Sequence, residues 1–212
     1  MVMIEGYRFT LRDRVEAANK ERLRALDGLE RVFEARDSGQ RQYILKDCMA
    51  PKTLHLKVGA QVALIKNLDD TLVNVSQGKV IGFRSDGDGG EEWPYVQFQV
   101  SRGKTRNHVC RPETWKVERS TDGPLASRTQ VPLLLSWAVS VHKAQGLTLE
   151  WVKVDLGNTF APGQAYVALS RATSRDGLQV CGFERHAIRV HDKAREFNKR
   201  LSAVDTVMSH SA

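Results

Sequence analysis

The stretch from Gln130 to Val180 restricts this chain more than any other. It reads QVPLLLSWAVSVHKAQGLTLEWVKVDLGNTFAPGQAYVALSRATSRDGLQV. An apolar run, Pro132 to Trp137, has the length and composition of a strand and feeds a polar segment, Ser140 to Gly146. A second strand pattern, Val152 to Leu156, is followed by a helical segment that ends at Ser170-Arg171, and Leu178 to Phe183 is a third strand. Strands interleaved with helices, with polar and cationic residues at their ends, indicate an α/β domain that carries its ligand groups on a sheet edge. No G-x-x-x-x-G-K-[ST] loop occurs in the sequence. A phosphate cradle of that kind is therefore not on these residues.

The preceding residues divide into two parts of different character. In the first, to about Val58, Thr10 and Asp13 offer a helix N-terminus. Leu11, Val15, Ala18, Ala25 and Leu26 fall on one helical face, and Gly28 supplies the stop. Val32 to Ala35 and Tyr43 to Leu45 read as short strands near a turn at Asp37-Ser-Gly39, and Leu54 to Val58 alternates as another. In the middle part, Gln61 to Ile65, Lys79 to Phe83, Tyr95 to Val100, Thr105 to Cys110 and Thr114 to Val117 are short strands separated by turn signals, which suggests a small antiparallel barrel. Gly87, Gly89 and Gly90 read as a hairpin turn, because no helix with a Lys-Ser/Thr start follows them. The barrel, 59–119, is expected as an insertion into an α/β domain made from 1–58 and 120–203, with 204–212 a frayed tail.

Composition narrows the partner class. Thirty-two Lys and Arg against 25 Asp and Glu leave a net charge of +7, which favours a polyanion. Much of the bias lies in Arg8–Arg24 and Arg185–Arg200, where helical patterning equally suits solvated faces. No apolar run approaches the roughly 20 residues of a membrane helix, and the opening residues lack a secretory signal. Cys48, Cys110 and Cys181 have neither disulfide nor zinc-site spacing and read as reduced, mostly buried thiols of an intracellular protein.

Ser140, His142 and Lys143 lack an acidic partner at triad-like spacing, so they do not read as a hydrolytic triad. All three can donate to phosphate oxygens, the basis of sequence-independent grip on nucleic acid. Arg171 ends the small-residue helix Gln164-Ala-Tyr-Val-Ala-Leu-Ser170. It is either a cation stabilising that helix C-terminus or a guanidinium aimed at a transferring phosphate.

The segments Leu135-Ser-Trp-Ala-Val-Ser-Val-His-Lys-Ala-Gln-Gly-Leu-Thr148 and Gly163-Gln-Ala-Tyr-Val-Ala-Leu-Ser-Arg-Ala172 resemble motifs V and VI of the petite-integration-frequency (PIF) DNA helicases, superfamily-one enzymes related to RecD. Arg12 to Gly28 resembles the family's motif IV region. Leu56 to Asn67, Leu72-Val-Asn74 and Gly78-Lys-Val80 are similar to the approach to its inserted SH3-like barrel. The resemblance spans about Arg8 to Phe197. It implies a RecA-like second lobe of a P-loop NTPase, without its own P-loop, interrupted by that barrel.

The resemblance also implies roles. Ser140, His142 and Lys143 would lie along a single-stranded DNA track, with Asn74 at the base of the barrel as a further DNA contact. Where the family has Gly after that Asn, this chain has Val75, a departure that bears on the local turn. Gly146, Thr148 and Gln164 would face the nucleotide, and Arg171 would reach its γ-phosphate. The implied activity is ATP-driven, 5′-to-3′ unwinding of DNA at single-strand/duplex junctions, in replication, repair, recombination and telomere maintenance. ATP and Mg²⁺ would be held mainly by a first lobe that is not in this sequence, so the isolated chain is expected to be inactive. No metal ligands are assigned here. A nuclear or mitochondrial setting would follow in a eukaryote. The competing reading is a non-catalytic nucleic-acid or protein-binding module derived from such a helicase.

Overall fold

The computed structural model describes residues 7–9, 12–85, 90–101, 103–119, 123–140, 149–157, 161–185 and 188–208. In chain order the elements are β1 (Tyr7–Phe9), α1 (Arg12–Arg24), β2 (Arg31–Glu34), β3 (Arg36–Ser38), β4 (Thr53–Leu56), β5 (Gln61–Leu64), β6 (Gln77–Ser85), β7 (Glu92–Ser101), β8 (Lys104–Val109) and β9 (Glu113–Arg119). They continue with β10 (Gly123–Gln130), β11 (Leu133–Leu135), β12 (Ala138–Val139), β13 (Val152–Asp155), α2 (Gln164–Leu169), β14 (Leu178–Cys181) and α3 (Asp192–Met208). Two compact units result, one drawn from Met1–Val15 and Ala138–Ala212, the other from Glu16–Trp137.

The first unit is built on a four-stranded sheet in the order β12-β1-β13-β14, all of it parallel. A parallel sheet needs crossovers that cover its faces. Between β13 and β14 that crossover contains α2, whose Ala165 and Ala168 are buried. The burial of β13 alternates, with Val152 and Val154 inside, and Leu149 and Leu156 are buried just beyond its ends.

The second unit is antiparallel. Its largest sheet runs β11-β5-β6-β7-β8, beside a β3-β10-β9 sheet and a β2-β4 ribbon. Period-two alternation buries Leu54 and Leu56 of β4 and Val62 and Leu64 of β5. These join Leu72, Val80, Val96, Phe98 and Leu133 in one core, which Leu23 of α1 also enters. Gly78 is fixed by this packing, because a Cβ there would lie 2.6 Å from Val96 Cγ1 and 2.8 Å from the Gln97 carbonyl oxygen.

Several expectations change. Tyr43–Leu45 is not a strand but part of a 3-10 helix, Gln42–Asp47, closed by i to i+3 bonds such as Ile44 N to Arg41 O at 3.1 Å. Asp37 lies not in a turn but in β3, and the turn follows at Gly39 with φ 100°. The tail expected to fray from Val204 is helical to Met208, since α3 meets no Gly or Pro that would stop it. Residues 16–58 and 120–137 group with the expected barrel rather than with the α/β lobe. The reason is pairing: β10 joins β3 and β9, and β11 joins β5. The chain is mixed α/β with mostly antiparallel sheets. Among the described residues, no helix is long and apolar enough to cross a membrane.

Candidate functional site

In an open parallel sheet, ligand groups gather beyond the carboxyl ends of the strands. Ser140 follows β12 at that end and is half-buried. The parallel register sets Val139 level with Phe9, and Phe9 level with Val154, so Ser140 stands near the exit of β13. Of the other expected site residues, His142 and Lys143, placed with Ser140 on the DNA track, and Gly146 and Thr148, placed at the nucleotide, lie outside the described residues.

Arg171 belongs to the opposite end of the sheet. α2 opens after Gly163, whose φ of 84° is a left-handed conformation suited to glycine. The helix then runs back toward the start of β13. There the Arg171 carbonyl accepts from Leu149 N at 2.8 Å, and Ala172 bridges to Leu149 in parallel. Leu149 precedes the first residue of β13 by three positions. Ser140 and Arg171 are thus separated by at least the length of that strand, on the order of 10 Å.

The Arg171 guanidinium turns onto the last turn of its own helix. Nε donates to Val167 O at 2.9 Å, and Nη2 donates to Ser170 Oγ at 2.8 Å. A cation on the exposed carbonyls of a helix C-terminus is favourable, and in this conformation Arg171 fills that role. Gln164 sits at the other end of α2 with 8% of its surface exposed. Its Oε1 accepts from Ala161 N at 3.3 Å, which ties the helix entrance to the preceding loop. The two residues expected to share the nucleotide therefore stand at opposite ends of one short helix.

Asn74 lies in the second unit, in the connection between β5 and β6. Its backbone N donates to Asn67 Oδ1 at 2.6 Å, and its side chain is exposed. The next residue, Val75, takes φ 68°. The left-handed turn that glycine would make is therefore kept with a β-branched residue. Dense bonding enforces it: Val75 N donates to Leu64 O at 2.8 Å, Leu64 N to Ser76 O at 2.9 Å, and Val73 N to Ser76 Oγ at 3.1 Å. Asp69 closes the other half of the loop. The backbone N–H groups of Thr71 and Leu72, then the Thr71 hydroxyl and Arg106, hold its carboxyl well below the usual range. Sequence reading passed over Asn67 and Asp69 as site-building residues; the only signal was their place in a turn cluster.

None of the three cysteines forms a disulfide. Cys110 is fully buried, and burial pushes its thiol up to about 12, so it is no nucleophile. Cys48 and Cys181 are only half-buried, where buried thiols were expected. Among the described residues, no cluster of three His, Cys, Asp or Glu could hold a metal ion.

Comparison with known proteins gives concordant results. The profile of the family described as DNA helicase Pif1, 2B domain, matches residues 42–83. The ATP-dependent DNA helicase PIF1 of Emericella nidulans is 42% identical over 241 aligned positions, covering 91% of this chain and 32% of that protein. A crystal structure of Pif1 helicase from Candida albicans superposes with a TM-score of 0.84 at 41% identity, over 95% of this chain and 50% of that one. Bacteroides Pif1 bound to ssDNA shares the fold at 24% identity, with a TM-score of 0.69 over 96% of this chain and 47% of that one. The chain spans about a third of the length of the curated relatives it matches.

Proposed function

We propose that this chain, which aligns with a PIF1-type DNA helicase over 91% of its length and shares the fold of a Pif1 crystal structure, serves as the second motor lobe of an ATP-dependent DNA helicase. The observation that carries this reading is the 42% identity to a PIF1 helicase across 91% of the chain. So long a match takes in both the strand–helix units of the parallel sheet and the antiparallel unit between them.

The two ends of the parallel sheet suit two tasks. At the carboxyl end, Ser140, with His142 and Lys143 next in sequence, would donate to the phosphates of single-stranded DNA. Asn74, held by Asn67 and the Val75 turn, would add a contact from the inserted SH3-like barrel, which we assign to residues 59–119 of the antiparallel unit. Such backbone contacts carry no sequence code and weaken steeply with salt. At the opposite end, Arg171 would leave its own helix carbonyl and turn to a γ-phosphate on a first lobe, with Gly146, Thr148 and, from the other end of α2, Gln164 as the further nucleotide-facing residues. ATP hydrolysis there would supply the energy for 5′-to-3′ translocation. The described residues form neither a phosphate loop nor a metal cluster, so the triphosphate and its Mg²⁺ are assigned to that first lobe. Junctions of single- and double-stranded DNA, in the nucleus or mitochondrion, are the proposed setting.

Joining the chain to the first lobe of a PIF1 helicase tests this. We expect DNA-stimulated ATP hydrolysis from the joined protein, reduced about 10³-fold or more in Arg171→Ala. The 212-residue chain alone is expected to show no turnover; Arg171-dependent hydrolysis by it would overturn the reading. Retained DNA binding with no restored hydrolysis would instead favour a non-catalytic binding module.

A further inference from the structure

A second candidate site lies wholly within the antiparallel unit, along the open edge of β2. Among the described residues β2 pairs only with β4. The phase of that ladder shows which groups it leaves open. Ala35 N donates to Lys52 O at 2.8 Å, so the residue pairs 35/52, 33/54 and 31/56 are the hydrogen-bonded ones. The backbone N–H and C=O of Val32 and Glu34 therefore point away from β4.

A groove of about 510 Å³ runs beside this strand. It touches four consecutive residues, Arg31 to Glu34. Because strand side chains alternate between faces, a groove in contact with every residue of a run lies along its edge. Phe33 and Trp93, with ring centroids 6.2 Å apart, supply its aromatic floor. Two ion pairs span it, Arg31–Glu92 at 2.7 Å and Arg36–Glu91 at 3.2 Å. The far wall is the start of β7, where Glu92 and Trp93 precede the first residue that β8 pairs, Tyr95.

From this geometry we infer that the β2 edge is a strand-addition site for an extended basic peptide of a partner protein. Unpaired edge groups over an aromatic floor are what β-augmentation uses: main-chain bonds supply affinity, and alternate side chains fill the groove. Local charge selects the occupant. Glu34, Glu91 and Glu92 outnumber Arg31 and Arg36 here, although the chain as a whole carries +7. A nucleic-acid backbone would meet those carboxylates, whereas a peptide alternating lysine with β-branched residues would pair with them and lay its apolar side chains on Phe33 and Trp93. The site is independent of the motor reading, since it uses neither Ser140 nor Arg171.

The test uses the full ¹⁵N-labelled chain and a short blocked peptide of alternating lysine and valine. Binding should shift the Val32 and Glu34 amides and slow their hydrogen exchange. N-methylation of the peptide in the edge-facing register should weaken binding about tenfold or more through lost main-chain bonds; methylation in the other register should leave it unchanged. Glu91→Lys should weaken the same peptide several-fold while the fold stays intact. The proposal is overturned if the peptide fails to bind at millimolar concentration. It is equally overturned if both methylated peptides bind alike, or if oligothymidylate rather than the peptide shifts Val32 and Glu34.

Discussion

Val75 holds a β-branched side chain at φ 68°, a conformation that costs such a residue about 1–3 kcal/mol. Glycine would remove that cost while adding unfolded-state entropy worth roughly 0.5–1 kcal/mol. Val75→Gly should therefore stabilise the chain by about 1 kcal/mol, seen as a higher urea midpoint with an unchanged slope. The Asp37–Arg128 pair works in the other direction. Both side chains are largely buried, and Arg128 donates to the two Asp37 oxygens at 2.7 Å each. The hydrogen bond from Arg128 holds the Asp37 carboxyl below its ordinary 3.8. A folded-state pKa below the unfolded one means stability that is present above 3.8 and lost as pH falls through it toward the lowered value. Urea midpoints measured from neutral pH down to about 3 should fall, and Asp37→Ala should flatten that part of the decline. The same variant should cost about 3 kcal/mol at neutral pH, because it strands Arg128. Residues of this kind divide in legibility. Ser140, Gln164 and Arg171 stand in long motifs that sequence alone displays. Asn67 could not be found that way, because its role is to accept one backbone N–H across a loop whose shape the turn residues alone do not specify.

Close approach of β6 to β7 depends on Gly78. Gly78→Ala should drive Cβ against Val96, Gln97 and Phe98 and lower stability by about 2 kcal/mol, measured by thermal unfolding. The elements that could be read in advance share one property: alternation that matches their burial, as at Leu54 and Leu56 or Val62 and Leu64. β10 escaped notice because its sequence, GPLASRTQ, has no run of bulky apolar residues. What makes it a strand is partners distant in sequence, β3 and β9. Its last residue, Gln130, adds a side-chain clasp: Nε2 donates to Phe33 O at 2.9 Å, and Oε1 accepts from Val131 N at 2.8 Å. Tyr43–Leu45 failed in the opposite sense. A short apolar run fits a strand or a helical turn equally well. Here only Leu45 of the three is fully buried, so a single inward side chain decides the segment.

Stability is not spread evenly over the whole chain. Val62, Leu64, Val80, Val96 and Phe98 are fully buried in the antiparallel unit, whereas residues 192–201 of α3 are exposed on every face. Amide exchange should accordingly be slowest in β5, β6 and β7, and α3 should exchange orders of magnitude faster; comparable protection would show that α3 is packed against something in solution. The order of β12-β1-β13-β14 has a consequence for how the molecule comes into being. β1 is an interior strand of its sheet, and both of its neighbours, β12 and β13, are more than a hundred residues downstream. During synthesis β1 must wait, unpaired, until more than a hundred further residues have been made. Glu16–Trp137 can close its own core before then. The segment that interrupts the parallel unit in sequence can thus precede it in time.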